Sequence, residues 1–229
     1  MKKGKTILII GGTDGLGKAL AKQLQGNNTV IVASSNKDRV LSVSKEYGCD
    51  GVVCDVTDVN SIQSCIGYVE KKYSKIDSII YCSGLWIQGA LSVNTPGDIQ
   101  HVVDVNLTGA LLLFQRVIPI MEKQGKGEIL VVISQAGLYG KAERSVYNAT
   151  KFGLTGLVKS LSMELAGKGI KVIGLYPGMM KTSMFEKVGI QKDMEKAIDP
   201  EVVAKSVDFI LSLPDTVVVP EMGIRHILG

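Results

Sequence analysis

Ser134, Tyr147 and Lys151 stand in one stretch, SQAGLYGKAERSVYNATK, the tyrosine thirteen positions after the serine and the lysine four after the tyrosine. A hydroxyl, a phenol and an ammonium held together can relay a proton. A free phenol titrates near about pH 10, so a tyrosine that exchanges protons at neutral pH needs a neighbour that favours phenolate. At an effective dielectric of about 20 and a separation of about 5 Å, an ammonium supplies roughly 3 kcal/mol, or about two pK units. The i, i+4 spacing puts both side chains on one face of a helix, and SVYNATKFGLTGLVKSLSMELAGKG reads as that helix. Alone, such a pair is an ordinary amphipathic contact, and the surrounding elements must decide.

Ser134 closes the run Glu128 to Ser134, read as a buried strand whose carboxyl edge presents the hydroxyl to a substrate oxygen. At the other end of the chain, the strand Thr6 to Ile10 runs into Gly11, Gly12, Thr13, Asp14, Gly15, Leu16 and Gly17, followed by a helical segment. This strand, glycine turn and helix can hold a pyrophosphate on backbone N–H groups and a helix N-terminus. A second strand, Thr29 to Ala33, leads to Ser34, Ser35, Asn36, Lys37, Asp38 and Arg39. An acid immediately after this strand would favour NAD. Hydroxyl, amide and cationic donors suit the 2′-phosphate of NADP. Asp38 and Asp14 argue the other way, Asp14 by repelling that phosphate if it points there. NADP is expected, with NAD possible.

A third strand, Asp50 to Cys54, ends at Asp55, Val56, Thr57 and Asp58, where Asp55 is either an acceptor for an adenine amino group or a turn residue. A helix follows over Val59 to Tyr73. Asp77 to Tyr81 reads as a fourth strand that brings Ser83 and Gly84 near a cofactor. Thr95, Pro96 and Asp98 make an N-cap, N1 and N3 for a helix running through Lys123, with Pro119 loosening its last turns. Asn106 lies in the apolar part of that helix, as a satisfied core amide or as the group that orders a water beside the relay. Ile170 to Tyr176 is a further strand ended by Pro177 and Gly178. The methionine-rich segment at about 178–200 reads as an adaptable flap or a core-covering loop. A helix over Glu201 to Leu213 and a strand over Thr216 to Val219 close the chain. Alternating strands and helices call for a parallel sheet.

With 229 residues, 45% hydrophobic and 21% charged, the chain suits one large α/β domain spanning 1–229. A net charge of +4 with scattered lysines does not point to nucleic acid. The four cysteines lack metal-site or disulfide spacing, so no metal is expected. The apolar run Ile7 to Ile10 is too short for a signal-peptide core, and no apolar run approaches the ~18 residues of a membrane span. A cytoplasmic protein that spans no membrane is expected. His101 and His226 have no ligand-like neighbours and read as surface or structural residues.

Taken together, these residues resemble the classical short-chain dehydrogenase/reductase family over nearly the whole chain. Its Thr-Gly-x-x-x-Gly-x-Gly is similar to Ile10 through Gly17, with isoleucine for threonine, and its Asn-Asn-Ala-Gly to Tyr81-Cys82-Ser83-Gly84, which keeps the glycine alone. Those departures remove hydrogen bonds that brace the central strands. Asn106, Ser134, Tyr147 and Lys151 match the family's catalytic set in order and spacing, Asp55 its adenine-contacting aspartate, and Pro177, Gly178 and Thr182 its nicotinamide-contacting segment.

The resemblance implies a Rossmann-type doubly wound domain, with a parallel seven-stranded sheet in the order 3-2-1-4-5-6-7 and helices on both faces. It implies hydride transfer between a nicotinamide and a carbonyl or secondary alcohol. Tyr147 would move the proton, Lys151 would lower its pKa and bind the ribose, Ser134 would hold the substrate oxygen, and Asn106 would order water. From their places after strand ends, Trp86, Ser134, Tyr139, Met179 and Met184 are expected to meet a hydrophobic or aromatic substrate, with Leu85, Gln88, Leu138, Met180 and Phe185 at the rim. A homo-oligomer, dimer or tetramer, is expected. Other readings are a redox-sensing binding module without turnover, an extended epimerase or dehydratase, and an assembly protein. The intact relay argues against the first, and the short segment after Pro177 against the second.

Overall fold

The computed structural model describes residues 4–228. Thr6–Ile10 (β1), Thr29–Ser34 (β2), Asp50–Val53 (β3), Ser78–Tyr81 (β4), Gly127–Val132 (β5), Ile170–Pro177 (β6) and Glu221–Ile224 (β7) form one sheet in the order β3-β2-β1-β4-β5-β6-β7. Every neighbouring pair is parallel. Between them lie α1 (Gly15–Leu24), α2 (Lys37–Tyr47), α3 (Val59–Tyr73), α4 (Pro96–Val103), α5 (Gly109–Gln124), α6 (Ser145–Leu165) and α7 (Pro200–Ser212).

The run of isoleucine and leucine in β1 has no polar face because both of its faces are covered. Ile7 and Ile9 pack with Leu16, Leu20, Leu24, Val203 and Val207 of α1 and α7. Leu8 and Ile10 pack on the opposite face with Ile62, Leu113, Phe114 and Leu154 of α3, α5 and α6. Each such side chain contributes about 1.5–3 kcal/mol when fully buried. Strand order reverses between β1 and β4, which opens a crevice at the carboxyl ends of both strands.

The bracing expected to be lost at Ile10 and Cys82 is supplied by main chain. The Cys82 N–H donates to the Ile10 carbonyl at 2.8 Å, and the Gly11 and Gly12 N–H groups to Ala33 O at 2.8 and 3.1 Å.

Three elements differ from the sequence reading. The helix begun at Thr95, whose hydroxyl accepts from the Asp98 N–H at 3.1 Å, is interrupted by a π turn over Asp104–Thr108 before α5 continues through Pro119 to Gln124. The turn inserts one residue at Asn106, a local feature that hydrophobic periodicity does not reveal. The segment Pro96–Gln124 is long and apolar enough by mean hydropathy, 1.3, to pass for a membrane span. Its Leu113, Phe114, Val117 and Met121 are buried on the sheet. Strand β5 stops at Val132, so Ser134 lies beyond it with φ of 119°. The last strand is Glu221–Ile224 and not Thr216 to Val219. Val217 and Val218 are instead exposed, the Val217 N–H turning back to the Pro214 carbonyl, and pairing with β6 begins only past Pro220.

Candidate active site

Helix α6 carries a buried polar stripe. Tyr147, Thr150, Lys151 and Thr155 recur at the three- and four-residue spacing that keeps side chains on one face, and all four are at least nine-tenths buried. Thr155 accounts for part of the stripe by donating to the carbonyls of Gly137 and Lys151, each at 3.1 Å. Thr150 donates to Tyr147 O at 2.8 Å and accepts from the Asn106 amide at 3.1 Å. The Asn106 amide also donates to Leu85 O at 3.0 Å, and its Oδ1 accepts from the Leu85 N–H at 2.7 Å. Asn106 thus clamps the chain after β4 to α6, and the π turn aims it there.

Lys151 is 3% exposed and lines a cavity, and among the described residues its ammonium makes one hydrogen bond, to Val132 O at 3.3 Å. Its Nζ lies 5.6 Å from the Tyr147 ring centroid. Burial pushes the Lys151 ammonium down to about 8, with the nearby Cys82 thiol opposing. Burial pushes the Tyr147 phenol up to about 12, against the pull of the Ser134 hydroxyl and the Arg144 charge. The two-unit depression expected from the lysine is therefore not seen in the protein alone: burial of the phenol is the larger effect, with Ser134 and Arg144 the groups that oppose it.

The strained φ of 119° at Ser134 turns its side chain from the strand toward α6, where its hydroxyl caps the short turn Gln135–Gly137 by accepting from the Ala136 N–H at 3.2 Å. Asn148, which the sequence reading passed over, fixes the same loop. Its buried amide donates to Ala136 O at 2.8 Å and Tyr139 O at 2.7 Å. An asparagine beside the tyrosine on a helix face of buried polar residues was the available signal.

A cavity of about 730 Å³ connects these groups to the glycine turn. Gly11, Thr13, Asp14, Gly15, Leu16, Gly17, Ser34, Ser35, Asp55, Val56, Ser83, Gly84, Trp86, Ser134, Tyr139, Tyr147, Lys151, Pro177, Gly178, Met179, Thr182 and Met184 all line it. Asn36 and Asn106 do not. The Asn36 side chain instead caps α2, accepting from the Arg39 N–H at 2.9 Å, and Arg39 lines the cavity in its stead. His101 and His226 also border it, which their isolation in sequence concealed.

The residues present fit an NAD(P) cofactor. A Cβ at Gly17 would lie 2.1 Å from the Gly11 carbonyl, and one at Gly11, whose φ is 78°, would lie 2.8 Å from Ser83 N, so only glycines allow this close backbone approach. Asp55 is in part the turn residue of the alternative reading, because its Oδ1 accepts from the Thr57 N–H at 2.9 Å and hydroxyl at 2.7 Å. Asp14 caps α1 at the Gly15 N–H, 2.7 Å, accepts from Ser183 at 3.1 Å and from Lys187, and lies 3.6 Å from Arg39. Burial raises its carboxyl, but the bond and charge of Lys187 and the Gly15 N–H outweigh that and hold it below the usual carboxylate range. Its charge is met from the flap, so it is not a bare anion facing a phosphate.

The segment after β6 packs over Tyr147. Phe185 packs edge-on against Trp86 at 4.9 Å between ring centroids, and Trp86 lies 4.5 Å from Tyr147. Met179, Met184, Ile190 and Met194 pack around these three rings.

A family model described as short chain dehydrogenase matches residues 5–193. A 3-oxoacyl-[acyl-carrier-protein] reductase of Thermotoga maritima is 34% identical over 225 residues, 92% of this chain and 91% of that protein. Among solved structures, an actinorhodin polyketide ketoreductase with NADPH superposes with a TM-score of 0.88 at 25% identity, over 97% of this chain and 96% of that one. A 3-ketoacyl-(acyl-carrier-protein) reductase from Brucella melitensis, complexed with NADH, shares the fold with a TM-score of 0.87 at 24% identity over 97% of each chain. The chain belongs to the short-chain dehydrogenase family, as an NAD(P)-dependent oxidoreductase of CH–OH and C=O groups.

Proposed function

We propose that the protein interconverts a ketone or aldehyde and the corresponding alcohol with NADP as preferred cofactor, NAD being accepted less well, on a hydrophobic or aromatic substrate. The observation that carries this reading is the meeting of Ser134, Tyr147 and Lys151 at one end of a cavity whose other end is the glycine turn. When bound, the nicotinamide supplies or accepts the hydride. Tyr147 gives its phenolic proton to the carbonyl oxygen in reduction and takes it back in oxidation, and its raised pKa keeps that proton available at neutral pH. Ser134 holds the same oxygen. Lys151 binds the nicotinamide ribose with its ammonium, and its charge offsets the phenolate as the proton leaves. Asn106 orders a water for Lys151: a Cβ on Gly84 would lie 3.5 Å from Lys151 Nζ and 3.7 Å from Asn106 Oδ1, so both atoms face one small space.

Gly11, Thr13, Gly15, Leu16 and Gly17 hold the pyrophosphate, with Asp14 fixing the turn. Ser34, Ser35 and Arg39 receive the 2′-phosphate. Asp55, through the oxygen not bonded to Thr57, accepts from the adenine amino group beside Val56. Ser83, Gly84, Pro177, Gly178 and Thr182 enclose the nicotinamide end. The NADPH bound in the ketoreductase structure supports the cofactor preference, and the named activity of the Thermotoga relative supports 3-oxoacyl thioesters as one substrate to try. Exposed Leu111 on α5 and Phe152 and Met163 on α6 support a homo-oligomer built on these helices, and four free thiols suit the cytoplasm.

The test is oxidation of NADPH and NADH by a panel of ketones, aldehydes, quinones and 3-oxoacyl thioesters. Turnover with kcat/KM at least about tenfold higher for NADPH is expected. Tight binding of both cofactors with no turnover across the panel would favour the redox-sensing module instead.

A further inference from the structure

The cavity is far more cationic than a neutral carbonyl compound requires. Its two lining acids, Asp14 and Asp55, both lie at the nucleotide end. At the other end it is bordered by Arg144 and Lys141, just ahead of α6, and by Lys192 and Lys196 of the flap. None of these four makes an ion pair among the described residues. Glu143, Asp193 and Glu195, from the same two segments, do not line the cavity.

Two of the four cations are held against the aromatic wall. The Arg144 guanidinium sits 5.0 Å from the Trp86 ring centroid, and the Lys192 ammonium 5.8 Å from that of Phe185. Trp86 meets the Tyr147 ring at 4.5 Å between centroids, the two planes tilted by 54°. A molecule whose carbonyl reaches the Tyr147 hydroxyl therefore stands beside Trp86 and meets cations that lie over the rings of Trp86 and Phe185. A guanidinium docked on an aromatic face keeps its N–H edge open for a bidentate bond to a carboxylate or phosphate.

The geometry points to a substrate that carries an anionic group, carboxylate or phosphate, on an apolar body a few bonds from the reacting carbonyl, with Arg144 and Lys192 as the specificity-determining residues. This rests on the carbonyl reductase reading and narrows its substrate class.

Trp86 is the sole tryptophan of the chain, so its fluorescence reports occupancy of this wall whether or not turnover occurs. The wild-type protein is titrated with 4-phenylbutanoate, 3-phenylpropyl phosphate and 4-phenylbutanamide. At least one anion should bind about tenfold or more tightly than the amide, and the preference should shrink as salt rises through the range where the Debye length falls below about 8 Å. Comparison of the two anions tells carboxylate from phosphate. Arg144→Gln with Lys192→Gln should abolish the preference, Arg144→Lys should restore part of it, and Lys192→Gln alone, on a partly exposed flap position, should reduce it without risk to the core. In turnover, the ratio of kcat/KM for a keto acid to that for its amide should fall about tenfold in the double variant. Equal binding of amide and both anions, or a preference unchanged in the double variant, overturns the assignment. An anion preference without any turnover leaves the anion site standing and removes the reductase reading.

Discussion

Tyr147 and Lys151 are both held away from their solution pKa values by burial, and this sets the pH behaviour of the site. In the proposed mechanism, reduction uses the Tyr147 proton, retained up to about pH 12, and the Lys151 charge, retained only up to about pH 8. The kcat/KM of reduction should therefore fall above about pH 8, and Lys151→Arg should move that limb beyond pH 10; a limb that stays in place in the variant would separate it from Lys151. Stability follows the same shift. The lysine pKa is lowered on folding, so between about 8 and 10.5 the unfolded chain binds the extra proton and stability rises with pH. Below that window a buried charge costs the fold about 3 kcal/mol. Lys151→Met should accordingly raise Tm at pH 7 by about 5 °C or more in thermal denaturation while cutting turnover at least about 100-fold. An unchanged or lower Tm would mean the ammonium is better solvated than its 3% exposure implies. The identities and spacing of this relay were legible in the sequence. The direction of the tyrosine shift was not, because the attraction of a neighbour can be read from i, i+4 spacing, whereas desolvation depends on the flap residues Phe185 and Met184, far along the chain, that cover the rings.

Elements that repeat a simple period were read within a residue or two, as in β1, α3 and β6. Those whose form depends on a partner were not. The π turn at Asn106 exists because that side chain reaches Leu85 and Thr150, and β7 starts past Pro220 because β6 offers its pairing edge there. The loop that carries Ser134 belongs to the same class, since Asn148 holds it through two main-chain carbonyls. Asn148→Ala should lose about 1–3 kcal/mol, lowering Tm by about 2–12 °C, and should depress kcat more than the KM for NADPH, because the loop and not the cofactor cleft is released. A variant with wild-type kcat would show that the strained φ at Ser134 is held by β5 and α6 without that tie. Asn36 marks the complementary case: its cap on α2 was available from the spacing to Arg39, and that cap holds its Oδ1 at the start of α2, away from the cavity lining.

At the scale of the molecule, the parallel sheet reverses its order beside β1, and the glycine turn, the Ser134 loop and α6 converge on that point from three parts of the chain. Alternating strands and helices announced the layers, and the family resemblance supplied the strand order that periodicity alone does not contain. The exposed apolar residues of α5 and α6 should be covered by a second copy, so light scattering should give a mass of two or four chains, and Phe152→Glu should shift it toward the monomer. A monomeric wild type would leave Phe152 and Met163 without an occupant. Tyr147 is proposed to move the proton in a reaction whose cofactor is held chiefly by the glycine turn. The most direct measurement of that role is kcat of carbonyl reduction, with the NADPH dissociation constant determined on the same samples, for the wild type and Tyr147→Phe. The variant should lose about 1000-fold or more in kcat with an NADPH affinity changed less than about threefold. Turnover in the phenylalanine variant within about threefold of the wild type would contradict that role.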